Sequence, residues 1–231
     1  MSLAGRMLKV ISSLAIKAAY LELVPQFEKS SGCKVATEWA GMVDIRKRVQ
    51  SGEAADALIA SAALIDELTQ LGRIVPGSRV DLAKSGVGVA VRSGAPRPDI
   101  GSVEALKRAL RAAKSIGYSS GPSGVYLSGL FERLGIAGEL KPKLTQTPPG
   151  VFVGELVARG EFEIGFQQVP ELLAVAGIDL VGPLPREIQA ITVFSGGIPV
   201  AAREPESAQA LLGFLASPQA AAVKRKTGFL G

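Results

Sequence analysis

The 231-residue chain contains no histidine and a single cysteine. Without imidazole there is no Ser-His-Asp or Cys-His catalysis and no His-ligated zinc. Cys33 cannot close an internal disulfide, and nothing near it has metal-ligand spacing, so no metal is expected. Aromatics make up only 5% of the residues. The two densest basic runs, Arg46-Lys47-Arg48 and Lys224-Arg225-Lys226, have no interleaved aromatic and read as solvated helix faces. Nucleic acid is therefore not an expected partner. No apolar run is long enough to span a bilayer: the longest, 57–65, is interrupted by Ser61. The opening 1–6 leads straight into a strand without a long apolar segment. It is either a short leader ahead of a start at Met7 or what remains after removal of an export signal. A soluble chain is expected, periplasmic in the second case and cytoplasmic in the first.

The familiar nucleotide and hydrolase signatures are absent too. Gly86-Val87-Gly88 begins a dinucleotide fingerprint, but Val91 stands where its third glycine belongs. Residues 72–77 have phosphate-loop spacing, yet Ser78 replaces the lysine. Gly121-Pro122-Ser123-Gly124 lacks the spacing of a nucleophile elbow. No two carboxylates can be placed in one cleft, so neither an enzyme nor a cofactor is expected. What is present is a 47% hydrophobic, 20% charged chain with 27 glycines and a net charge of +5. That composition makes a packed core and suits an anionic ligand.

Strand and helix patterns alternate along the chain. Strands are predicted at 8–11, 34–39, 56–60, 86–91, 115–118, 143–145 and 164–168. Helices follow at 16–27, 44–50, 62–71, 103–113, 125–134 and 152–159, several closed by glycine. Pro25 should kink the first helix or displace one of its backbone bonds. Segments 191–194 and 198–201 read as strands around a Ser195-Gly196-Gly197 turn, and two helices, 206–215 and 219–226, complete the chain. The order predicts an α/β fold of two lobes, each a mixed, mostly parallel sheet flanked by helices.

One device recurs: a strand ends in small hydroxyl residues where a helix begins. It occurs at Ser12-Ser13, at Ser61, and at Ser119-Ser120-Gly121-Pro122-Ser123-Gly124 before Val125. Free backbone N–H groups and the helix dipole make such termini anion sites, and serine hydroxyls add donors without a counter-charge. Plain N-capping explains any one of them equally well. Their recurrence at strand C-terminal ends points to ligand binding, because ligands of open α/β sheets bind at that edge.

Several segments together resemble the periplasmic molybdate-binding family of the type II periplasmic-binding-protein fold. They include Ile11-Ser12-Ser13-Leu14, the run 27–35, and 52–61 with its acidic Asp56. Pro122-Ser123-Gly124-Val125-Tyr126 is similar to the family's Pro-Ala-Gly-x-Tyr helix start. Leu134-Gly135-Ile136, Gly160-Glu161, Ile164-Gly165-Phe166, the run 214–220 and Gly228-Phe229 continue the match. The resemblance implies a monomeric solute-binding protein of an ABC transporter, closing two lobes over an oxyanion and delivering it to a membrane permease. Lobe one would be 1–83 plus 197–231 and lobe two 84–196. The ligand-binding positions it implies are Ser12, the Ala40-Gly41 turn, Ser61, Ser123, the helix start at Gly150-Val151, and Gln168. Two departures stand out: Trp39-Ala40-Gly41-Met42 replaces a serine-rich turn, and Gln168, preceded by Gln167, replaces a tyrosine. These leave molybdate and a di- or tricarboxylate as alternative ligands, and a cytosolic sensor as the alternative role.

Overall fold

The structure, a computed structural model, describes residues 3–230. The chain forms two compact units, Met1–Lys84 with Val193–Gly231, and Ser85–Thr192. The first unit opens with β1 (Met7–Ser13), α1 (Lys17–Ser31), β2 (Lys34–Ala40), α2 (Met42–Gln50), β3 (Ala57–Ser61) and α3 (Ala62–Gln70). Strand β4 (Val80–Arg92) carries the chain into the second unit. There follow α4 (Val103–Ala112), β5 (Ile116–Tyr118), α5 (Pro122–Arg133), α6 (Ala137–Leu140), β6 (Leu144–Gln146) and α7 (Val153–Ala158). Then come β7 (Ile164–Gln168), α8 (Val169–Leu173) and β8 (Ile178–Pro183). Strand β9 (Ile191–Gly197) returns to the first unit, which ends with α9 (Pro205–Ala216) and α10 (Ala221–Lys226).

In the first unit the strand order is β2-β1-β3-β9, with β9 alone antiparallel. Strand side chains alternate between two faces, and the burial follows that period. Leu8, Val10, Ala57 and Ile59 pack with Tyr20, Leu23 and Phe27 of α1 and Leu211 and Leu212 of α9. Ile11, Leu58 and Ala60 pack on the other side with Ile45 of α2 and Leu64, Ile65 and Leu68 of α3. A sheet covered on both faces needs a nearly unbroken apolar strand, and every residue of β3 is buried. Helix α1 runs on through Pro25 and stops at Gly32, whose φ is 72°. Pro25 lies on the exposed face beside Leu21, where water can take the carbonyl that the proline leaves unpaired.

The second unit is also mixed. Strands β7, β5 and β6 are parallel, while β4 lies antiparallel to both β7 and β8. Its core joins Val87, Val89, Leu106, Leu127, Phe131 and Phe166.

Three sequence expectations need correction. Ser195-Gly196-Gly197 is not a turn but the buried end of β9, with Gly196 opposite Ile59 and Gly197 opposite Leu58. A Cβ on Gly196 would lie 2.2 Å from Cδ2 of Leu212, so glycine is there to let α9 approach the sheet. Residues 198–201, expected as a strand, form only an isolated bridge at Pro199 and a turn, and strand β8 falls where no strand was predicted. Pro183 is tolerated because it is the last residue of an edge strand.

Candidate functional site

In the first unit the parallel register aligns the sequence-predicted residues. Ser12 stands opposite Trp39 on one side and Ile59 on the other, and Ser13 opposite Ala40. Ser61 closes β3 two residues beyond Ile59, so Ser12, Ser13, Ala40, Gly41 and Ser61 all lie at one sheet edge. Ser13 caps a single 3₁₀ turn, its Oγ accepting from the N–H of Ala15 at 3.3 Å. The Oγ of Ser61 caps α3, accepting from the N–H of Leu64 at 3.4 Å. Capping is therefore present at both, but it uses only the oxygen's lone pair, and each hydroxyl proton is still there to donate. Ser12 is fully buried, its hydroxyl reaching the carbonyl of Ser13 at 3.3 Å. Gly41 is the N-cap of α2 and provides no side-chain cap, so the first N–H groups of that helix have no cap acceptor.

The second unit repeats the arrangement. Ser119 and Ser123, both buried, share a hydrogen bond of 2.8 Å between their Oγ atoms, and Ser119 Oγ also accepts from the N–H of Gly121 at 3.3 Å. Gly124 sits in the first turn of α5, while Val125 beside it is 70% exposed. The loop 147–151 is tied to the same strand end: Thr147 N–H donates to the Tyr118 carbonyl and Gln146 Nε2 to that of Ser119. Gly150, at a φ of 82°, and Val151 lie in this loop ahead of α7, which begins at Val153.

The two glutamines separate, as neighbours on a strand must. Gln167 turns inward, and its Oε1 accepts from the N–H of Val153 at 2.8 Å. Gln168, 1% exposed, holds Oγ1 of Thr192 at 2.8 Å through Nε2, and its Oε1 has no hydrogen-bond partner. The Thr192 hydroxyl can donate as well as accept, so a flip of the amide would present a buried NH₂ instead. In either orientation one polar end of Gln168 has no partner within the protein. That is costly unless a ligand supplies one.

Three further residues join the set. Lys17 begins α1 just after the Ser12-Ser13 strand end, its Nζ 5.6 Å from the ring centroid of Trp39, and it forms no ion pair among the described residues. A cation at the first position of a helix opposes the dipole, so no local signal marks this lysine as a ligand residue. Thr192 is visible only through its bond to Gln168. Glu171 stands at the third position of α8, directly after the Gln168 end of β7.

Burial pushes the Glu171 carboxyl up to about 7, against hydrogen bonds from the Gln167 side chain and the Gln168 backbone that favour the anion. A carboxyl raised above its ordinary 4.5 binds its proton more tightly in the folded state. Its stability contribution is thus fully present below about pH 4.5 and is lost as the pH rises through 7. Above that, the folded state is disfavoured by about 3 kcal/mol. Glu171→Gln should therefore gain about 3 kcal/mol on the parent chain between pH 4 and pH 8.5, measured by urea unfolding at both. A constant difference between the two would show that Glu171 does not titrate in this range.

Among the described residues, no group of three or more His, Cys, Asp or Glu side chains could hold a metal, and no helix is long and apolar enough to cross a membrane. In each unit taken by itself the strand ends gather hydroxyls and backbone N–H groups, with Lys17 in the first unit and the Gln168 amide and the Glu171 carboxyl in the second. Hydroxyl and N–H donors of this kind can pair an anion.

The chain is similar to known proteins over nearly its whole length. An aconitate isomerase from Pseudomonas sp. is 40% identical over 227 residues, 96% of this chain and 86% of that protein. The molybdate-binding protein ModA of Escherichia coli K12 is 22% identical over 225 residues, 95% of this chain and 87% of that one. The periplasmic molybdate-binding protein of Azotobacter vinelandii superposes with a TM-score of 0.80 at 19% identity, covering 97% of this chain and 99% of that one. The fold is that of the type II periplasmic binding proteins. Residues 8–230 match the family model described as bacterial extracellular solute-binding protein, and the chain belongs to that family.

Proposed function

We propose that this chain binds a small tricarboxylate of the aconitate class. The observation that carries this reading is the 40% identity with an aconitate isomerase over 96% of the chain. Features of each unit support it. In the first, Lys17 offers an ammonium group with no acidic partner among the described residues, and Ala40 stands where the resemblance implies a serine-rich turn. In the second, Gln168 has an unpartnered amide end. Several spread carboxylates suit a fixed cation plus amide and hydroxyl donors better than a compact tetrahedral oxyanion does. In this reading the chain is exported and delivers its ligand to the permease of an ABC transporter, as a component that binds without turnover. The lack of histidine favours that role. A second reading, isomerisation of the bound tricarboxylate, is favoured by the name of the same relative.

Thermal unfolding with cis-aconitate, trans-aconitate, citrate, molybdate and sulfate separates the ligands. A true ligand at a hundredfold over its Kd adds about 2.7 kcal/mol, a rise of roughly 5–10 °C for a chain of this size. The aconitates should give it, and Lys17→Gln should weaken them by about tenfold or more, as for a lost charge-assisted bond. A rise with molybdate alone would overturn the tricarboxylate assignment. Proton NMR of cis-aconitate incubated with the protein then decides between the two roles: unchanged signals mean binding only, and growth of the trans isomer means turnover.

A further inference from the structure

We propose that a second cavity, built entirely within the second unit, binds an amphipathic monoanion such as a medium-chain or aromatic carboxylate. The cavity measures about 760 Å³, the size of a site for a drug-sized molecule. It opens where β4 ends and β7 begins, at Val91-Arg92 and Ile164. Gln168 lies at the other end of β7, paired with Val87, so this cavity is separate from the candidate residues above.

Its floor is apolar because α4 turns alanines toward it. Leu106 and Leu110 of that helix fill the core of the unit, while Ala105, Ala109 and Ala112, with Ala113 just past its end, line the cavity together with Phe162 and Ile164. Larger side chains at those positions would close the space. The small ones leave an apolar hollow open to water, an arrangement that is unfavourable unless something fills it.

Charge decides what fills it. Arg92, Arg97 and Arg108 stand around the cavity. Two acids also line it, Asp99, which accepts from the N–H of Gly101 at 2.9 Å, and Glu163, which accepts from that of Lys114 at 2.7 Å, so the cations outnumber the anions around the cavity. Arg97 makes one long contact, 3.8 Å, with Asp179. Arg92 and Arg108 form no ion pair among the described residues. An apolar floor below two unpaired guanidinium groups matches a ligand with a hydrocarbon body and one anionic head, because guanidinium pairs a carboxylate through two parallel bonds.

Isothermal titration with decanoate tests this, with decanol as the uncharged control and circular dichroism to confirm that each variant folds. Decanoate should bind, about tenfold more weakly in the Arg92→Gln/Arg108→Gln double variant, whose substitutions are on exposed residues, and not detectably in Ala109→Trp. Saturating cis-aconitate should leave decanoate binding unchanged. The proposal is overturned if decanoate does not bind at millimolar concentration, if decanol binds equally well, if cis-aconitate displaces decanoate, or if both variants bind like the parent chain.

Discussion

Asp56→Ala should destabilise the folded chain by about 3–5 kcal/mol, because one buried carboxylate holds three backbone N–H groups. Asp56 is 7% exposed. Its Oδ2 accepts from the N–H of Lys9 at 2.8 Å, and its Oδ1 from those of Arg203 at 2.9 Å and Glu204 at 3.0 Å. These bonds join β1 to the approach of α9, segments nearly two hundred residues apart in sequence. Hydrogen bonds to a charged group are worth more than neutral ones, and alanine would take the acceptor from three backbone donors at once. Thermal melting should fall by roughly 6–20 °C. Asp56→Asn keeps one carbonyl oxygen for Arg203 and Glu204 but opposes its NH₂ to the N–H of Lys9, so its loss should be smaller, about 2 kcal/mol. If asparagine and alanine cost the same, the Oδ1 bonds to Arg203 and Glu204 contribute nothing measurable.

Asp56 also shows what a sequence reveals and what it conceals. Its place at the head of a buried strand was part of the resemblance on which the fold expectation rested. Its work is structural, and its partners lie too far along the chain for any local pattern to expose them. The α/β alternation and the helix stops at Gly32, Gly72, Gly135 and Gly160 were legible because period and left-handed glycine are local properties. Gly196 was misread for the complementary reason. Glycine in a turn and glycine beneath a helix look identical until Leu212 is placed above it. The serines at the strand ends were legible as candidates, although capping and anion binding use the same residues there. Lys17, Thr192 and the inward turn of Gln167 were not. Each acquires meaning only from a neighbour brought close by folding: Trp39, Gln168 and Val153.

Gly124→Ala should destabilise the second unit by about 3 kcal/mol and remove its share of ligand binding. A Cβ at this position would lie 1.6 Å from the carbonyl oxygen of Ser119 and 2.7 Å from its carbonyl carbon. No rotamer relieves a clash with backbone, so either α5 must retreat or the strand end must open. Both movements pull Ser123 away from Ser119, whose Oγ atoms are 2.8 Å apart. The Ser119 carbonyl also accepts from Gln146 Nε2, so the displacement reaches the loop carrying Gly150 and Val151. Melting should fall by roughly 6–12 °C, and the shift produced by cis-aconitate should shrink or vanish. Gly213→Ala is the matched control: an added Cβ there meets nothing within 4 Å, and the residue is exposed in the middle of α9. It should raise stability by about 0.5–1 kcal/mol and leave the ligand shift unchanged. If Gly124→Ala lost stability yet kept the full ligand response, the Ser119-Ser123 pair would only brace the start of α5, and in the proposed reading the second unit's ligand contacts would rest on Gln168 and Thr192.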